Sequence, residues 1–312
     1  MPGAIVIPIL VGAAVVAVNA VLLGRARRRN DARAGALARA LSMELVPADA
    51  FGNGAGFSGQ LEGAQVDAAF RGAELFVEIT TMLPPDLRVL FPPRELPLEA
   101  SVRELKILFS GATGDAEFDS NIFVDGAPAT IASVMDAETR RSIREICDVA
   151  RIHLESGRFA LLVTRAEGAE VVIRAAVALA RRLGSAAVSP QTLASRARTE
   201  SLPRLREQAL EALVAAFPDS PESRAVAAVF ARSGERRTAL LAKLMDPGSM
   251  TALLAAPRET ADALATLPPE AARAGLRLLT RNRAGAEPLL VEVLEAAARA
   301  GSGARALEIE AA

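Results

Sequence analysis

Residues 57–81, FSGQLEGAQVDAAFRGAELFVEITT, decide the class of this fold. Phe57–Leu61, Ala64–Phe70 and Glu74–Thr81 are short apolar or alternating runs, separated by the pairs Glu62-Gly63 and Arg71-Gly72. A period of two sends alternate side chains to opposite faces of a strand, and a two-residue glycine-containing link suits an antiparallel hairpin. The stretch therefore predicts an antiparallel meander. Leu87–Phe91, beyond Pro84-Pro85, extends it, and Leu105–Phe109 and Asn121–Val124 read as later strands.

Downstream, the apolar period becomes that of a helix. Ala127–Met135 and Glu138–Ile152 read as helices, the latter carrying Cys147 and running up to His153. Phe159–Thr164 is strand-like. Ala169–Leu183 is an amphipathic helix with Ile173, Ala176, Val177 and Leu183 on its apolar side. Strands and helices without βαβ alternation predict an α+β domain over residues 42–184. After Gly184–Pro190 the strand texture ends, and short helical patterns fill residues 190–311, with Ser220-Pro221 as a cap-then-proline start. An all-α tail is expected there, a helical array or a bundle.

Upstream of the sheet, Ala4–Leu23 is twenty residues without a charge. At 1.5 Å per residue that is about 30 Å of helix, the thickness of a bilayer's hydrocarbon core. The sequence thus predicts a transmembrane anchor over 4–23. Val18-Asn19-Ala20 has the look of a signal-peptide cleavage site, but no basic side chain precedes the run. The charges follow it instead, at Arg25, Arg27, Arg28 and Arg29, on a basic juxtamembrane helix over 24–41. Positive residues stay on the cytoplasmic side, so the expected location is the inner membrane, single-pass, with the N-terminus out and the body cytoplasmic. Ala13, Ala17, Ala20 and Gly24 have small-xxx-small spacing, which offers a face for a homodimer through the transmembrane helix.

Composition narrows the function. Apolar residues are 51% of 312 and charged ones 23%, enough for packed cores. A net charge of −1 argues against general nucleic-acid binding, which needs a basic field. Cys147 and His153 are single occurrences, so neither a disulfide nor an ordinary zinc site can form within one chain. Gly54-Ala55-Gly56-Phe57-Ser58-Gly59 matches G-x-G-x-x-G, but a strand rather than a helix is expected after it, which is the wrong context for a dinucleotide. No cofactor is expected. Asp115, Glu117 and Asp119 alternate as in a calcium loop and are the candidate metal ligands, although an EF-hand would need Gly at its sixth and Glu at its twelfth position, where Ser120 and Gly126 stand.

The pattern over Leu205–Glu235, LREQALEALVAAFPDSPESRAVAAVFARSGE, resembles HEAT-type helical repeats over one or two units. With the anchor and the α+β domain containing Thr113–Asp119, the layout resembles membrane-anchored bacterial proteins; the likeness implies no activity. The expected role is protein–protein contact, as a membrane-anchored scaffold or adaptor. Two alternatives remain open at this point. One is an enzyme using carboxylates and a divalent cation near Asp115–Asn121; the other is a periplasmic ligand-binding domain with reversed topology.

Overall fold

A computed structural model describes residues 24–48, 54–91, 113–165, 167–281 and 291. The expected anchor over 4–23 and the strand over 105–109 lie outside these residues. Among the described residues, no helix is long and apolar enough to cross a membrane. Contacts divide the chain into two units: residues up to Val102 with Asn121–Phe123 and Arg141–Ser185, and Arg103–Ser120 with Val124–Arg140 and everything from Ala186.

The fold is α+β, with an eight-stranded antiparallel sheet. Helix α1 covers residues 24–41. The strands are β1 (Glu44–Val46), β2 (Gly56–Leu61), β3 (Ala64–Arg71), β4 (Glu74–Thr80), β5 (Arg88–Phe91), β6 (Phe123–Asp125), β7 (Ala150–Glu155) and β8 (Arg158–Val163), in the order β1-β2-β3-β4-β8-β7-β5-β6. Hairpins β2–β3, β3–β4 and β7–β8 form the meander. Glu62, Gly63 and Gly72 take positive φ in its turns, the backbone that tight hairpins require. Alternation sets the faces: Val66, Phe70, Leu75, Val77, Ile79, Ile152, Leu154, Phe159 and Leu161 are buried on the inner one.

Helix α5 (Ala169–Ser185) packs against β4 and buries Ile173, Ala176, Val177, Ala180 and Leu183. Its Gly184 lies against the Met82 carbonyl, which an added Cβ would approach to 1.8 Å. Helix α1 buries Ala34, Leu37, Ala38 and Leu41, and the Arg174 guanidinium of α5 donates to its Ala40 carbonyl.

Two expectations are corrected. Glu138–Ile152 is not one helix: α4 (Ala137–Cys147) stops, and β7 begins at Ala150. Its burial alternates residue by residue, with Ala150, Ile152 and Leu154 inward and Arg151, His153 and Glu155 outward, a period of two that the preceding helical pattern masked. Likewise Asn121 closes a short helix, α2 (Ala116–Asn121), and the strand starts at Phe123.

The second unit is helical: α3 (Pro128–Val134), α6 (Pro190–Thr199), α7 (Pro203–Ala216), α8 (Pro221–Phe230), α9 (Arg236–Met245), α10 (Met250–Ala255), α11 (Pro257–Leu264) and α12 (Pro269–Thr280). Ser189 and Ser220 cap α6 and α8, each hydroxyl accepting from the amide three residues on, with proline following at the first helical position. Central α7 touches α3, α6, α9 and α12 and buries Leu205, Ala209, Leu210, Leu213 and Val214. A repeat array would contact sequential neighbours only; here α7 also contacts α3 and α12, which are distant in sequence.

Candidate functional site

The acidic segment folds into a clasp. Asp119 accepts from the Thr113 hydroxyl at 2.8 Å, the Gly114 amide at 2.9 Å and the Thr113 amide at 3.2 Å. Asp115 accepts from the Phe118 amide at 3.1 Å and lies 3.6 Å from the Arg140 guanidinium. Glu117 is exposed in the first turn of α2. Burial raises the Asp119 pKa above its ordinary value, against the lowering effect of the Thr113 and Gly114 donors. Among the described residues, no group of three or more His, Cys, Asp or Glu side chains is disposed to hold a metal ion.

The clasp continues into a buried ionic network. Arg140, 4% exposed, donates to the Met135 carbonyl at 2.6 Å and to Glu200 at 3.4 Å. Arg196 donates to Asp136 at 2.6 Å, and Asp136 in turn caps α4 by accepting from the Thr139 amide. Paired buried charges of this kind fix one arrangement of their segments, because breaking a pair strands a charge in low dielectric. Farther along α7, buried Glu211 is paired with Arg237 of α9, and burial raises its pKa.

Cys147 is partly buried, and desolvation pushes its thiol up to about 12, far from a thiolate nucleophile at neutral pH. Gly54 and Gly56 of the glycine-rich segment pack on the β3 backbone: an added Cβ would meet the Phe70 and Ala68 carbonyls at 2.3 and 1.9 Å. Strand crowding thus accounts for both glycines, and β2, not a helix, follows. Arg25, Arg27, Arg28 and Arg29 are all exposed on α1.

The open face of the sheet offers a concave surface that the sequence did not single out. A groove of about 900 Å3 runs over β4, β8 and β7. Cross-strand register builds it in rows. Phe76, Leu162 and Arg151 form one, flanked by Ala69 of β3, and Glu78, Ala160 and His153 the next, flanked by Asp67 of β3. Small Ala160 makes the floor low between Glu78 and His153. The Arg71 guanidinium lies 4.5 Å over the Phe76 ring, closing one end. Arg88 pairs with Glu155 at 2.7 Å, and His153 lies 3.3 Å from the same carboxylate. Asp67 is satisfied by the Ser58 hydroxyl, whereas Glu78 has no ion-pair partner among the described residues. Like charges facing each other across strands are destabilising, so the Asp67–Glu78 row would gain from an added cation.

No family model, no curated protein and no solved structure matches the chain.

Proposed function

We propose that this protein is a single-pass inner-membrane protein with a cytoplasmic body, and that it works as an adaptor holding a protein partner on the open face of its sheet. The groove over β4, β8 and β7 carries this reading. Its apolar strip of Phe76, Ala160 and Leu162 supplies area to desolvate, and its charges supply register. Glu78, which has no ion-pair partner among the described residues, stands beside Asp67 and favours a basic side chain of the partner at that row. Phe76, stacked under Arg71 at one end of the groove, is an aromatic anchor of the kind such interfaces use. The membrane half of the reading is supported by the uncharged run Ala4–Leu23 and the arginines after it.

A photo-crosslinking phenylalanine at position 76 of the full-length protein, in its native membrane, tests it. The expected result is one discrete protein adduct, lost on Glu78→Lys, while the same probe at exposed Val229 gives none. No adduct at position 76, or one indifferent to Glu78→Lys, overturns the reading of the groove. Release of the protein by an alkaline wash overturns the tether.

A further inference from the structure

We infer that the outward face of α1 is a binding surface for the phosphates of an anionic lipid bilayer. Residues 24–41 hold six arginines against a single acid, Asp31, in a chain whose net charge is −1. Four of the six share one side of the helix, while Arg27 falls on the side of the apolar stripe and Arg33 between the two. At about 100° per residue, Arg25, Arg28, Arg29 and Arg39 gather on one side, about 180° from the stripe of Ala34, Leu37, Ala38 and Leu41. That stripe is buried against the body, and the four arginines are exposed. Asn30, on the docked side, donates to the Gly72 carbonyl at 2.7 Å, which fixes the rotation of the helix and hence the direction of the arginines. Between them stand only small residues, Ala32, Gly35 and Ala36, so a flat surface can reach several guanidinium groups at once.

A planar guanidinium matches phosphate oxygens bidentately, and arginines near an anionic leaflet gain from its surface potential. The bilayer is the partner because Ala4–Leu23, uncharged throughout, immediately precedes this helix. In that respect the inference rests on the tether proposed above. Its new content is orientation: the basic residues do more than set topology, and they lay one face of the body against the headgroups.

The full-length protein with Cys147→Ala and Ala36→Cys, carrying a fluorophore at position 36, is reconstituted into vesicles of phosphatidylcholine alone or with phosphatidylglycerol at three in ten. Quenching by a water-soluble quencher should fall at least threefold in the mixed vesicles. It should recover in 0.5 M salt, and it should not differ between lipids when Arg25, Arg28, Arg29 and Arg39 are all changed to Gln. Because those positions are exposed, the melting curve of this variant should be unchanged, which separates loss of protection from loss of fold. Equal quenching in both lipids overturns the inference, as does equal protection by a single-stranded oligonucleotide added without vesicles. Lipid-dependent protection in a protein that alkaline washing releases sinks the tether and leaves this surface standing; firm insertion with equal quenching does the reverse.

Discussion

Asp119→Ala is expected to loosen the helical unit without any metal being involved. The carboxylate accepts three donors: the Thr113 amide and hydroxyl, and the Gly114 amide. Thr113 is fully buried, so truncation strands its amide, while its hydroxyl turns elsewhere and the exposed Gly114 amide finds water. A buried donor left unmade costs about 1–3 kcal/mol, and the other two bonds about 0.5 kcal/mol each, so the loss is about 2–4 kcal/mol. Removing the desolvation that raises the Asp119 pKa returns part of this, which places the expectation near the lower figure. Asp119→Asn keeps one acceptor oxygen and should lose about half as much. The chain has no Trp or Tyr, so urea unfolding is followed by far-ultraviolet circular dichroism, with hydrogen exchange locating the effect in residues 113–121 and at the start of α7, where Arg204 packs on Gly114. A loss under 0.5 kcal/mol, or exchange unchanged in those segments, would refute the clasp.

Three further expectations follow from the same geometry. Saturating calcium or magnesium should leave Tm unchanged, whereas a true site at 100-fold excess would add about 2.7 kcal/mol; a shift abolished by Asp119→Ala would revive the metal-dependent enzyme. Because burial raises the folded-state pKa of Glu211 above its ordinary 4.5, its stabilising effect is complete below that value and is lost as pH rises through the folded-state pKa. The Tm of Glu211→Gln relative to the parent should therefore climb with pH above 4.5, and a flat difference would contradict the burial argument. Gly184→Ala should cost about 1–3 kcal/mol by overpacking against the rigid Met82 carbonyl, and a neutral result would show that α5 can slide.

The meander was legible because its information is local. Alternation and Gly-containing pairs fix β2, β3 and β4 to within a residue of where they lie, and Ser220-Pro221 marks the start of α8 in the same way. β7 was not, because Ile143, Ile146, Ala150 and Leu154 also recur at helical intervals, and only pairing with β8 decides between the two periods. The acidic segment was visible as a cluster, but its partners were not. Arg140 and Glu200 are sixty residues apart, and nothing near either announces the other. The groove was invisible for a related reason. Phe76, Glu78, Ala160, Leu162 and His153 are ordinary outward residues of three strands, and they become a surface only through register.

The two proposed surfaces constrain each other, because both belong to the sheet-bearing unit. Helix α5 packs on β4, and the residues of β4 that are fully buried, Leu75, Val77 and Ile79, define the side it covers. Arg174 ties α1 to α5, which places α1 on that helix-covered side. Its arginines point outward from there, and the groove of Phe76 and Leu162 opens on the other side of the sheet. If the arginine face rests on headgroups, the groove faces away from the bilayer, where a partner can reach it. A double-labelled protein should then show position 36 protected by anionic lipid while position 162 stays accessible to a water-soluble quencher. Protection of both positions by the same vesicles would mean that one of the two surfaces has been assigned to the wrong partner.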